Sequence, residues 1–172
     1  ETPATDGERV YASFGGNVGL FCYSLDGKLL WKKTWPAQPI YLDFGTASSP
    51  VVHGGRVYQM HDNAAESFLV ALDAKTGEQR WMIPTRSRVE SSPVIAGDLA
   101  IAATTAGKLY LIDAATGEVK YENDFGGGFT ASPAVGDGKI VLGNTDGTLY
   151  YLGSTTKSEG LTTEAQRTQR SE

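Results

Sequence analysis

One short motif recurs along this chain at a spacing that leaves few folds open. Ser49-Pro50, Ser92-Pro93 and Ser132-Pro133 are each followed by small apolar residues (Val51-Val52, Val94-Ile95, Ala134-Val135), and Thr2-Pro3-Ala4 reads as a degenerate first copy. The prolines stand at 3, 50, 93 and 133, in steps of 47, 43 and 40 residues. A period near 40 filled with strand-like residues points to small sheets repeated radially. No window shows a sustained period of 3.6 with helix caps, and a sandwich would not need such likeness from unit to unit.

Within each copy the same pieces return in the same order. A tight turn follows the proline segment (Asp6-Gly7, Gly54-Gly55, Gly97-Asp98, Gly136-Asp137-Gly138), and a second strand is expected over 9–14, 56–61, 99–104 and 139–144. A third strand is expected over 19–23, 68–73, 108–113 and 148–152, and a fourth over 29–33, 79–83 and 119–122. Runs such as Lys108 to Asp113 and Arg56 to His61 are rich in the β-branched and aromatic residues that suit a pleated surface. The 21 glycines supply the positive φ that so many tight turns require. Proline is tolerated at the head of the first strand, where no ladder hydrogen bond need be donated. The expected fold class is all-β: a β-propeller of four-stranded antiparallel blades, about four of them, near 1–35, 47–83, 91–122 and 131–152.

The turn before the fourth strand carries a more specific motif. Residues 71–81 read Ala71-Leu72-Asp73-Ala74-Lys75-Thr76-Gly77-Glu78-Gln79-Arg80-Trp81. The third copy keeps Asp113, Thr116 and Gly117 and has Tyr121 in place of the tryptophan, and the first has a shortened turn ending in Trp31. The Asp side chain can accept from nearby turn amides, and Gly completes the turn at positive φ. This pattern resembles the tryptophan-docking motif of the PQQ-like (quinoprotein) β-propeller repeats. The resemblance spans roughly residues 1–153. It implies a ring in which each tryptophan packs between neighbouring blades, so that Trp31, Asp73, Thr76, Gly77, Trp81, Asp113, Thr116, Gly117 and Tyr121 are architectural. Truncating such a ring would cost about 3–5 kcal/mol. The family includes the propeller lipoprotein of the bacterial outer-membrane Bam assembly complex, which implies a bacterial periplasmic or secreted setting.

The fourth copy breaks off. After Tyr150-Tyr151-Leu152 no Asp…Thr-Gly…Trp follows, so the last blade is expected to be incomplete. Residues 154–172 hold one large aliphatic residue, Leu161, and balance three basic residues (Lys157, Arg167, Arg170) against three acidic ones (Glu159, Glu164, Glu172). This stretch is expected to be a polar tail, disordered or weakly helical, with a weak fourth strand around Leu161 as the alternative. An open fan of four blades leaves blade faces uncovered. A partial propeller continued by further blades is therefore expected. Two copies that self-associate to close a ring, and a stand-alone four-bladed ring, are the alternatives.

Residue placement points away from catalysis. The family's quinone enzymes imply an adjacent Cys-Cys disulfide and a Ca²⁺ held by Glu, Asn and Asp. This chain has one cysteine, Cys22, in the apolar run Leu20 to Tyr23, which reads as a buried small hydrophobe. No Glu/Asn/Asp set stands in a matching context, and a hard cation needs about six or more oxygen ligands. His53 and His61-Asp62-Asn63 lack further ligands and read as polar residues of a loop rim. No nucleophile elbow accompanies a Ser-His-Asp set. Gly126-Gly127-Gly128 precedes a strand, so it lacks the helix N-terminus that cradles phosphate. The expectation is a non-enzymatic chain with no catalytic residue, no metal and no cofactor; a fragment of a PQQ-dependent dehydrogenase is the alternative.

What remains is binding. The net charge of −5 argues against nucleic acid, and no stretch is long and apolar enough for a transmembrane helix. The segments joining one blade to the next, 35–47, 85–90 and 124–130, differ most between copies, and binding residues tend to sit on such loops. Their aromatic and arginine content matches protein interfaces, with aromatics that simply seal the central channel as the alternative reading. The candidate partner-binding residues are Tyr41, Phe44, Arg86, Arg88, Glu90 and Phe129, with a protein partner expected and a homodimer as an alternative.

Overall fold

The protein is described by a computed structural model over residues 1–15, 18–36, 48–63, 66–154 and 161–167. Among these residues there is no helix, and the strands form four separate four-stranded antiparallel sheets. The first blade is β1 (Ala4–Thr5), β2 (Arg9–Phe14), β3 (Gly19–Ser24) and β4 (Leu29–Lys33). The second is β5 (Val51–His53), β6 (Arg56–His61), β7 (Phe68–Asp73) and β8 (Gln79–Pro84). The third is β9 (Val94–Ala96), β10 (Leu99–Ala103), β11 (Lys108–Asp113) and β12 (Val119–Asp124). The fourth is β13 (Ala134–Gly136), β14 (Lys139–Gly143), β15 (Thr148–Ser154) and β16 (Leu161–Arg167). Every strand pairs with its sequence neighbour, as a propeller blade requires.

The proline strands lie side by side, β1 against β5 and β5 against β9. A relay of hydrogen bonds joins their entry residues. The Thr2 amide donates to Ser49 Oγ (2.8 Å), the Ser49 amide to Ser92 Oγ (3.0 Å), and the Ser92 amide to Ser132 Oγ (3.1 Å). The serine before each proline thus has a tertiary role: its hydroxyl closes the gap to the preceding blade.

The hydrophobic core divides into three layers, one per blade interface. Tyr11, Leu20 and Cys22 meet Val57, Val70 and Leu72 between the first and second blades. Tyr58, Met60 and Trp81 meet Ala100, Tyr110 and Ile112 between the second and third. Ile101, Leu109 and Leu111 meet Ile140, Leu142 and Leu152 between the third and fourth. Alternate residues of a strand face opposite sides, so each interior blade must be apolar on both faces. That is why β10 and β11 read as near-continuous apolar runs.

The end of the chain differs from expectation. Residues 161–167 are a strand, neither disordered nor helical, and pair with β15 over seven positions from Ser154↔Leu161 to Thr148↔Arg167. The last blade is therefore complete, in the form of the weaker alternative. The physical reason is that β15 offers a row of backbone donors and acceptors, and an adjacent polar segment with β-compatible threonines can satisfy them without an apolar pattern of its own.

Candidate functional site

Two features distinguish the blade interfaces: a buried docking column and an exposed loop rim. In the column, Asp73 Oδ1 accepts the amides of Lys75 (2.9 Å) and Thr76 (2.8 Å), while the Gly77 amide donates to the Asp73 carbonyl (2.9 Å). Asp113 repeats this with Ala115 (3.0 Å) and Thr116 (2.8 Å). Arg80 Nη2 adds an ion pair to Asp73 at 2.7 Å. That guanidinium, with the turn amides and the Thr76 hydroxyl, holds the Asp73 carboxyl down at about 2.

The tryptophans dock on these turns from the preceding blade. Trp31 Nε1 donates to the Ala74 carbonyl (3.1 Å), and Trp81 Nε1 to the Ala114 carbonyl (3.0 Å). A Cβ on Gly77 would stand 2.7 Å from the Trp31 ring, and one on Gly117 would stand 2.6 Å from the Trp81 ring. A tyrosine of the second strand joins each tryptophan. Tyr11 Oη lies 3.0 Å from the Ala74 carbonyl and 2.7 Å from Asp6 Oδ2, and Tyr58 Oη donates to the Ala114 carbonyl at 3.0 Å. Sequence reasoning passed over this Tyr–Trp pair. Its signal was present: Tyr11 and Tyr58 are each two residues past the arginine that opens the second strand. Tyr121 packs against the third interface, where Ile101 replaces that tyrosine.

The rim is built by the loops that leave β8 and β12. They follow one backbone path. The Thr105 amide donates to the Arg88 carbonyl (2.9 Å), and the Thr145 amide to the Gly128 carbonyl (2.8 Å) in the next blade. Val89 and Phe129, at the matching position, are both buried. Phe129 was expected at a partner-binding surface, but it is 0% exposed and packs with Phe125 and Tyr150, so it seals the interface. Tyr41 and Phe44 lie outside the described residues.

Arg88 and Glu90 come together on this rim, while Arg86 lies in the electrostatic reach of Glu122 and Tyr110. Arg88 bonds Glu90 (2.6 Å) and lies 3.8 Å from Asp62, whose Oδ1 also accepts the Val89 amide (2.9 Å) and the Ser67 hydroxyl (2.8 Å). Arg86 is exposed and has φ of 54°, the left-handed region. The matching residue of the next loop is Gly126, at φ of 66°. Only glycine takes this conformation without strain, so the arginine is held where the backbone disfavours it.

Cys22 is a free buried thiol, pushed up to about 11 by burial. Asp62 is committed to its own loop, and among the described residues no three metal-ligating side chains gather. No helix among them is long and apolar enough to cross a membrane.

Comparison with known proteins agrees with this architecture. A family model described as outer membrane protein assembly factor BamB matches residues 70–159. The chain is 36% identical over 110 residues to the serine/threonine-protein kinase AfsK of Streptomyces griseus, which covers 63% of this chain and 13% of that protein. It is 32% identical over 94 residues to BamB of Burkholderia pseudomallei, covering 52% of this chain and 22% of that one. Among solved structures, BamB from Moraxella catarrhalis superposes with a TM-score of 0.70 at 20% identity, covering 96% of this chain and 47% of the other. The quinohemoprotein alcohol dehydrogenase of Comamonas testosteroni gives 0.72 at 14% identity, over 89% and 33%. These likenesses to solved structures establish the fold alone, and the chain spans under a quarter of the two curated relatives' length. With four blades of one strand order and the docking motif at 71–81 inside the matched segment, the chain belongs to the PQQ-like β-propeller family.

Proposed function

We propose that this chain is a non-catalytic propeller module that presents its inter-blade rim to a protein partner. The observation that carries this reading is Arg86: an exposed arginine kept in a left-handed conformation that the next blade gives to glycine. Strain at a solvent-facing side chain is retained where the side chain serves contact rather than folding. The neighbours suit recognition. Arg88 is braced by Asp62 and Glu90, so its guanidinium is already ordered before an encounter, which lowers the entropy cost of binding. The family's description as an outer membrane assembly factor supports a bacterial periplasmic or secreted setting and a protein as the partner.

The test is a photo-crosslinking amino acid in place of Arg86, with the same residue in place of Lys120 on the fourth strand as control. Cells producing the protein should yield a discrete protein adduct from position 86 and none from 120. Equal labelling, or none at 86, sinks the reading. In parallel, Arg86→Gly should raise stability by about 1 kcal/mol in urea, since it removes the left-handed strain.

A second reading, self-association of blade faces, is favoured by exposed apolar residues on the terminal blades. Phe14 of the first is 49% exposed beside Phe21 and Tyr23, and Tyr151 of the fourth is 37% exposed.

A further inference from the structure

One buried polar residue stands where every other blade is apolar. The fourth residue of the second strand is Ala12, Ala102 and Leu142 in the first, third and fourth blades, and Gln59 in the second. Gln59 is 3% exposed and shares the face of β6 that carries Val57 into the first interface. Its Nε2 donates to the carbonyls of Ser48 (3.1 Å) and Met60 (2.7 Å), which fixes the end of the amide that is left to accept. That atom, Oε1, is buried and has no hydrogen-bond partner among the described residues.

Two more polar atoms at the same place share that condition. Trp35 stands two residues beyond β4, and its Nε1 is buried without an acceptor; His61 Nδ1 is buried without a partner. The Trp35 and His61 rings meet at 5.4 Å and 80°, and both pack on Phe68. The other two tryptophans are satisfied, since Trp31 and Trp81 donate to the carbonyls of Ala74 and Ala114. Trp35, Gln59 and His61 line one cavity of about 20 Å³ together with Ser13, Phe14 and Met60. A water molecule needs roughly 10–15 Å³ and two to four polar partners. The cavity therefore has room for one such molecule and little more.

We propose that this cavity is the binding site of a single ordered water, which accepts from Trp35 Nε1 and donates to Gln59 Oε1. The chemistry of the pair selects water over an ion of similar size. Ammonium has no lone pair to accept from the indole, and chloride has no proton to donate to the amide oxygen. His61 is the third partner: burial pushes its pKa down, and the neutral ring can accept the second water proton at Nδ1. A buried donor and acceptor left unbridged would each cost stability, and a shared water satisfies both. Trp35 follows the last strand of the first blade and Gln59 belongs to the second, so the water joins the two blades at the end of the interface away from the docking column.

The chain's three tryptophans carry their own controls. In protein isotope-labelled at the indole nitrogens, the Trp35 Nε1–H should show a dipolar cross-peak to the water resonance. Paired NOE and ROE spectra should give it the sign of a long-lived water rather than of passing solvent. Trp31 and Trp81, which donate to carbonyls, should show none. Gln59→Leu places at this position the residue that the fourth blade carries; it should abolish the Trp35 cross-peak and leave the other two indole signals where they were. Adding ammonium or chloride should not shift the Trp35 signal. The proposal is overturned if Trp35 shows no such cross-peak, if all three indoles show it equally, if it survives in Gln59→Leu, or if either ion shifts the Trp35 signal saturably. The spectra of the unsubstituted protein decide the matter even if that variant misfolds. None of these readouts involves Arg86 or a protein partner.

Discussion

At Gly77 and Gly117 two demands fall on one atom. The backbone sits at φ of 74° and 79°, and the face that a Cβ would occupy is covered by a tryptophan ring from the preceding blade. Alanine must therefore meet both the left-handed penalty and a clash with an indole ring that is hydrogen-bonded to the same turn. We expect Gly77→Ala or Gly117→Ala to destabilise by about 2–4 kcal/mol, read from urea midpoints. Asp73 makes a pH-dependent contribution. Its folded value of about 2 lies below the unfolded value near 3.9, so its stabilisation is complete above about pH 4 and is lost as pH falls toward 2. Asp73→Asn should flatten the fall of thermal midpoint across that window. An unchanged slope would mean that the Arg80 pair and turn amides do not hold the carboxylate in solution.

The element scale shows how the motif shapes a strand. In the first three blades the register between third and fourth strands shifts by one residue, at Cys22/Tyr23, Ala71/Leu72 and Leu111/Ile112. In each of these the shift follows from the tight turn that Asp73, Asp113 or Ser24 holds. In the fourth blade the motif is missing and β16 pairs with β15 with no shift. That pairing covers an edge: without it β15 would offer its unpaired backbone beside the exposed Tyr151. Deleting residues 155–172 should therefore increase aggregation, seen as turbidity on warming at a temperature the parent tolerates. Equal turbidity would show that β16 protects nothing.

For the whole molecule, the three core layers make stability a sum of neighbouring interfaces rather than of one core. The outward faces of the first and fourth blades keep Phe14 and Tyr151 in solvent, a pattern that marks an interaction surface when such residues cluster. Light scattering over a concentration range should show the mass rise above 18.3 kDa, and Phe14→Lys should suppress that rise. A constant monomer mass would remove self-association as a reading of these faces.

Much of this protein was legible before any fold was seen. The Ser-Pro period and the Asp-x-x-Thr-Gly-x-x-x-Trp word are local signals, because turns and strand alternation depend on residues within a few positions of one another. They determined the blade type, most strand bounds and the identity of the docking residues. The tertiary structure alone decided whatever depends on a neighbour some 40 residues away in sequence. It assigned the serine hydroxyls to the relay between blades, buried Phe129 instead of presenting it, and recruited a polar tail as β16. It also exposed the difference between Tyr58 and Ile101. Both are ordinary strand residues, and only the opposing blade brings one to the Ala114 carbonyl and packs the other into the third core layer.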